Sequence, residues 1–131
     1  MSYVGIVLIS HSPDIVKGLS ALLRQVQEKV PLAVAGGTDE NGIGTDMFKI
    51  KHALESVYSE KGVVVIFDLG SALINAEMAI ETLEDYQNIK IADAPLVEGA
   101  YAAIIQSGIG GTLSEVAAAA EGAKNLQKVQ S

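Results

Sequence analysis

Hydrophobic residues along this chain fall into two alternating patterns. Short, continuous apolar runs are followed by longer stretches in which apolar positions recur every three or four residues. Val4 to Ile9 is, apart from Gly5, entirely β-branched or leucine. That composition suits a central parallel strand covered on both faces, and it predicts strand 1 over about residues 3 to 10. Ser12, Pro13 and Asp14 follow as an N-cap, a first helical residue and an acid suited to the positive end of a helix. Helix 1 is expected from Pro13 to about Glu28, with Ile15, Leu19, Leu22, Leu23 and Val26 as its apolar positions.

Beyond Pro31 the alternation continues. Leu32 to Ala35 reads as strand 2, and Gly36 to Asp46 as a glycine-rich loop ending in a cap at Thr45 or Asp46. Helix 2 then runs to about Ser59 on a stripe of Met47, Ile50, Leu54 and Val57. Val63 to Phe67 is strand 3, and Ser71 is expected to cap helix 3, which extends to about Leu83. Ile89 to Ala92 is strand 4, and Leu96 to Gln106 is helix 4. A break at Ser107 to Gly111 precedes the Thr112-x-x-Glu115 capping box of helix 5, and the polar tail after Gly122 is expected to fray.

This alternation implies an α/β fold: a three-layer sandwich with a central, mainly parallel sheet in the order 2-1-3-4. The 131 residues form a single domain spanning 1–131, long enough to bury a core without staples. In that order strands 1 and 3 are neighbours, and the topology reverses between them. His11 ends strand 1, Asp68 ends strand 3, and Gly37 and Thr38 follow strand 2 on the same rim. Ligands of open α/β sheets bind at such a rim.

Composition narrows the chemistry. There is no cysteine, so disulfides, thiol catalysis and Cys-based zinc sites are excluded. Two distant histidines make no zinc site, and no metal is expected. Acids outnumber bases 16 to 9, for a net charge of −7, which argues against nucleic acid as a partner. No apolar run reaches membrane-spanning length and no signal peptide opens the chain, so a cytoplasmic location without membrane insertion is expected. Arg24, the single arginine, falls on the outer half of helix 1, so no Arg fork for a free phosphorylated substrate is expected.

The strongest chemical constellation is His11 with Asp68. A carboxylate that accepts the proton of one ring nitrogen fixes the tautomer and frees the other nitrogen as a nucleophile or base. Ser10, Ser12, Gly37, Thr38, Gly70 and Ser71 surround the pair in the sequence-derived topology. Their hydroxyl and backbone N–H groups, together with a helix amino end, suit a phosphoryl group carried on His11. His52 falls opposite the apolar stripe of helix 2 and is expected in solvent. The 36–44 loop lacks the lysine of a P-loop, and no serine lies in a G-x-S-x-G elbow.

Ser10-His11-Ser12, Gly36-Gly37-Thr38 with Gly42-Ile43-Gly44-Thr45, Asp68-Leu69-Gly70-Ser71 and Ala94-Pro95-Leu96-Val97-Glu98-Gly99-Ala100 together carry a resemblance over residues 3 to about 122. The chain resembles the mannose-type enzyme IIA family of the bacterial sugar phosphotransferase system. Within it, the chain is most similar to the phosphotransfer subunits of phosphoenolpyruvate-dependent dihydroxyacetone kinases. The resemblance implies that His11 is phosphorylated by the histidine-containing phosphocarrier HPr and that Asp68 orients it. It implies transfer to ADP held by the kinase's nucleotide-binding subunit, so that ADP and ATP belong to the partner and the chain needs no cofactor of its own. It also implies a homodimer, which agrees with the apolar excess of helix 4 through Leu96, Val97, Tyr101, Ile104 and Ile105. With one domain present, HPr and enzyme I are expected as separate proteins. Asp14 would repel a phosphate if it turned inward, and Pro13 offers no N–H.

The alternatives are a mannose- or fructose-type sugar transporter IIA domain, a receiver-like signalling module and a ligand-sensing module with a structural histidine. A receiver needs an acidic pair after strand 1 where Ser10-His11 stands.

Overall fold

The computed structural model describes residues 2–129. Its elements are β1 (Gly5–Ser10), α1 (Pro13–Val26), β2 (Leu32–Gly36), α2 (Met47–Val57), β3 (Val63–Phe67), α3 (Ala72–Glu81), β4 (Ile89–Ile91), α4 (Leu96–Gly108) and α5 (Leu113–Gly122). A single 3₁₀ turn, Ala123–Asn125, follows α5. The sheet has four strands in the order β2-β1-β3-β4, and every pairing is parallel. This is the topology expected from the alternation of apolar runs.

β1 is buried along its whole length because both of its faces are covered. Ile6 and Leu8 pack with Val64 and Ile66 under α1, α4 and α5. Val7 and Ile9 pack with Val63 and Val65 under α2 and α3. Each such fully buried aliphatic side chain contributes about 1.5–3 kcal/mol relative to exposure.

Several boundaries differ from expectation, each for a local reason. β1 begins at Gly5, whose amide donates to Gly62 O at 3.0 Å. α1 stops at Val26 because Gln27 turns extended, with φ −151° and ψ 122°. α2 stops at Val57 because Tyr58 is extended and stacks on Tyr86, ring centroids 4.2 Å apart. α3 closes at Glu81, and Ser71 precedes it without a capping hydrogen bond from its side chain. α4 runs on through Ser107, which was expected to break it; the buried Ser107 hydroxyl donates to Val4 O at 2.6 Å and ties α4 to the start of β1. The Thr112–Glu115 capping box is present at α5.

The buried face of α1 also differs. Val16, Leu19 and Leu23 enter the core, whereas Ile15, Leu22 and Val26 are exposed. On α4, Leu96 and Ile104 are buried but Val97, Tyr101 and Ile105 face outward. Leu22, Val97, Tyr101, Ile105 and Leu126 line an apolar groove of about 650 Å³.

The start of α1 is seated directly on the end of β2. A Cβ at Gly36 would lie 2.5 Å from Val16 Cγ2 and 2.8 Å from Pro13 Cα. Gly37 adopts φ +78°, a region that favours glycine, and a side chain there would meet Pro13 as well. Gly36→Ala is expected to destabilise the fold by about 1–3 kcal/mol through overpacking. Urea denaturation measures this, and an unchanged midpoint would show that α1 has room to move away from β2.

Candidate functional site

β1 and β3 are paired with Ile9 opposite Phe67. The residues that follow each strand therefore emerge side by side. Asp68 N donates to Ile9 O at 3.1 Å, which carries the β1–β3 ladder one step past the end of β3 and holds the Asp68 backbone beside Ser10 and His11. The Asp68 carboxylate then gathers donors on both oxygens. His11 Nδ1 lies 2.9 Å from Oδ1, and the Leu69 amide donates to the same oxygen at 2.7 Å. The Ser10 hydroxyl donates to Oδ2 at 2.7 Å, and the His11 amide at 3.0 Å.

These contacts set the protonation of Asp68. Burial raises the Asp68 pKa, but hydrogen bonds from the His11 ring, the Ser10 hydroxyl and the amides of His11 and Leu69 outweigh it and hold the carboxyl below its ordinary value. An ionised Asp68 accepts the proton of Nδ1. That tautomer leaves a lone pair on Nε2, which lies 2.7 Å from the Ser71 hydroxyl. The two side chains of the pair are partly covered, at 19% and 16% exposure, so Nε2 remains reachable at the rim.

The residues expected around the pair divide into two groups. Ser10 is fully buried, and its hydroxyl both donates to Asp68 and accepts from the Ser12 amide at 3.0 Å. The Gly37 amide donates to Ser10 O at 3.1 Å. Thr38 closes a turn on itself: its amide donates to Gly42 O, and its hydroxyl accepts from Gly42 N, both at 3.0 Å. The donors of Ser10, Gly37 and the Thr38 backbone are thus committed within the protein. Ser12 caps α1, accepting from Ile15 N at 3.4 Å. Gly70 and Ser71 differ from these, because among the described residues neither amide has an intramolecular acceptor. Both immediately precede α3, and the Ser71 hydroxyl lies beside His11 Nε2. Asp14 is exposed.

Three further residues shape the rim, of which Gly44 belongs to a motif noted in the sequence and Lys49 and Asn75 were not singled out there. The Gly44 amide donates to His11 O at 2.8 Å and anchors the 37–44 loop to the histidine. Lys49 Nζ donates to Gly36 O at 3.0 Å and to Asn41 Oδ1 at 2.7 Å, which braces that loop from α2. Asn75 Nδ2 donates to Thr45 Oγ1 at 2.6 Å and joins α3 to the cap region of α2. A lone lysine inside an amphipathic helix gives no sequence signal of such a role.

His52 is in solvent, with its side chain 80% exposed and Nδ1 3.6 Å from Glu55. Among the described residues no three His, Cys, Asp or Glu side chains cluster as metal ligands. No described helix is long and apolar enough to cross a membrane.

Residues 5–117 match the EIIA-man family, the PTS system fructose IIA component. The chain belongs to this family. Among EIIA-man relatives, the phosphoryl donor subunit DhaM of the PEP-dependent dihydroxyacetone kinase of Escherichia coli (strain K12) is 39% identical over 119 residues, 86% of this chain and 25% of that protein. The phosphotransferase subunit DhaM of the PTS-dependent dihydroxyacetone kinase of Lactococcus lactis subsp. lactis (strain IL1403) is 38% identical over 103 residues, 79% of this chain and 80% of that one. The chain thus spans about a quarter of the E. coli relative and most of the L. lactis one. A solved structure of a protein of unknown function, EF1359, superimposes with a TM-score of 0.82 at 32% identity, covering 92% of this chain and 95% of that one.

The electrostatics of this EIIA-man site give a pH signature. The folded pKa of Asp68 lies below its ordinary value of 3.8. The stability that its hydrogen bonds contribute is therefore complete above that value and lost as pH falls through the lower, folded one. Between about pH 5 and pH 2, wild-type stability should fall more steeply than that of Asp68→Asn, read from urea midpoints at each pH. Parallel profiles would show that the carboxylate titrates alike in the folded and unfolded chains.

Proposed function

We propose that this chain is a phosphoryl carrier that takes a phosphoryl group onto His11 Nε2 and passes it on. The observation that carries the reading is the ionised Asp68 bonded to Nδ1, which leaves Nε2 with its lone pair at the rim. In uptake, the phosphorus–nitrogen bond of a donor phosphohistidine breaks as a bond to His11 Nε2 forms. The donor ring keeps the electron pair of the broken bond. No proton has to leave Nε2, and the other ring proton stays on Nδ1, hydrogen-bonded to the Asp68 carboxylate, whose charge offsets the positive charge that grows on the ring.

Ser71 rotates its hydroxyl from Nε2 to a phosphoryl oxygen, and the amides of Gly70 and Ser71 donate from the amino end of α3. Ser12 stands at the edge of this space with its hydroxyl proton uncommitted. Ser10, Gly37 and Thr38 act at one remove: Ser10 holds Asp68, and Gly37 and Thr38 shape the loop that is fastened to His11. The chain is then a phosphotransferase component with a phosphohistidine intermediate and no cofactor of its own.

HPr is the proposed donor. ADP in the nucleotide-binding subunit of a dihydroxyacetone kinase is the proposed acceptor, in the cytoplasm. The relatives named as subunits of dihydroxyacetone kinases support this branch over sugar transport. Phosphoryl transfer needs chiefly positioning and charge stabilisation, which the site supplies without a deep cleft.

Incubation with phosphoenolpyruvate, enzyme I and HPr should add one phosphoryl group to the wild type by intact mass, labile in acid and stable in base, and none to His11→Ala. Asp68→Asn should fold normally by circular dichroism and take up the group about 10²–10⁴-fold more slowly in single turnover. Full labelling of His11→Ala, or an Asp68→Asn rate near that of the wild type, would remove the basis of the assignment.

The exposed apolar faces of α1 and α4 support a homodimer, since a helix covering a sheet needs only one apolar stripe. Light scattering at micromolar concentration should give twice the chain mass. A monomer would leave the groove around Tyr101 and Ile105 without this explanation.

A further inference from the structure

A second apolar surface lies on the opposite side of the sheet and adjoins His11. Ile43, Phe48, Leu69, Ile74 and Met78 are each between 46% and 78% exposed. Hydrogen bonds already described place them around the histidine. Gly44, whose amide holds His11 O, follows Ile43 directly, and the Leu69 amide is bonded to Asp68. The Asn75–Thr45 bond pins the first turn of α3 to the cap of α2, so Ile74 and Phe48 flank that bridge.

The two helices continue side by side. Lys51 and Glu55 of α2 line one depression together with Thr82, just past α3. At helical spacing, Phe48 belongs to the row of Lys51 and Glu55, and Ile74 and Met78 belong to the row of Thr82. The two rows therefore face one another, and Phe48, Ile74 and Met78 form a strip leading away from the reactive nitrogen. Isolated exposed apolar residues are ordinary, but a contiguous strip beside a reactive group marks an interaction surface.

Charge indicates what covers it. Exposed Asp14, Asp39 and Glu40 stand near the rim on the β2 side, and exposed Glu77 lies between Ile74 and Met78 in α3. The nearby ammonium of Lys49 is occupied by Gly36 O and Asn41 Oδ1. Lys51 on α2 and Lys17 on α1 each lie four residues in from the helix ends at the rim, so the positive charge needed beside a phosphoryl group in transit is left to the other molecule. We propose that the strip of Phe48, Ile74 and Met78, with Leu69 and Ile43 at its head, is the docking surface for the phosphoryl-donating protein, a histidine-phosphorylated carrier with a small apolar patch ringed by cations. This rests on the phosphoryl-carrier reading of His11. A second copy of this chain fits poorly, since it would bring further acidic residues to an acidic rim.

The test separates chemistry at His11 from docking. Phosphoramidate, a small phosphoryl donor, needs only the nucleophile, whereas phospho-HPr needs the surface as well. In a Phe48→Gln/Ile74→Gln double variant, both substitutions fall at exposed helical positions, and circular dichroism serves as the folding control. Labelling by phosphoramidate should match that of the wild type. Uptake from phospho-HPr should lose about thirtyfold in kcat/KM, chiefly through KM, as for loss of a central apolar anchor.

If phosphoramidate labels the wild type but phospho-HPr does not, the donor reading fails and this surface fails with it. If the wild type accepts from phospho-HPr and the double variant does so with an unchanged KM, the surface alone is overturned. Equal losses with both donors would show a distorted site and overturn the docking role. An altered mass in light scattering with unchanged transfer would assign the strip to self-association instead.

Discussion

The site depends on one carboxylate. Asp68 receives the His11 ring, the His11 amide, the Ser10 hydroxyl and the Leu69 amide, two donors on each oxygen. Those donors come from the ends of two neighbouring strands, so the arrangement exists only because β1 and β3 are paired in the middle of the sheet. The histidine is thus held through both its backbone and its ring by the same group. Its chain ends and its ring cannot drift independently, and this rigidity replaces the enclosure that a substrate pocket would provide.

Much of this was legible in the sequence because it follows from short-range rules. Val4 to Ile9 and Val63 to Phe67 have the composition of strands buried on both faces, and the helical stretches between them require parallel crossovers. The order 2-1-3-4 then brings His11 and Asp68 together before any side chain is placed. The direction of individual donors was harder to see. Ser10 beside His11 reads as a phosphate ligand, yet it is the last residue of a strand covered on both faces, where either parity sends a side chain inward. That signal was present in the sequence. The commitment of Thr38 was not, because it depends on how a loop folds back on Gly42, whereas the Gly37 amide continues the β1–β2 ladder by donating to Ser10 O.

Helix rotation was the other obscure feature. Apolar residues on α1 cover an arc wider than one stripe, so Ile15, Leu22 and Val26 satisfy helical spacing as well as Val16, Leu19 and Leu23 do. Only packing against β1 and α4 decides between them, and it leaves the first set outside. The same excess on α4 gives one side of the molecule an apolar face. The strip on α2 and α3 lies across the sheet from it. The described residues therefore carry exposed apolar surfaces on opposite sides of the sheet, and the one on α2 and α3 begins beside the loops that hold the histidine.

Under the proposed function, the crowding of donors around Asp68 also bears on how energetic a phosphoryl group carried on His11 would be. A bare carboxylate beside the ring would favour the phosphorylated imidazole strongly and turn the carrier into a sink. Ser10 and the two amides draw on the same negative charge, so less of it is available to the ring. In the proposed carrier role, the ring would be kept in one orientation while the phosphorus–nitrogen bond kept a high transfer potential. In a relay, whose product must be as ready to react as its substrate, a well-satisfied counter-ion is what keeps the group moving.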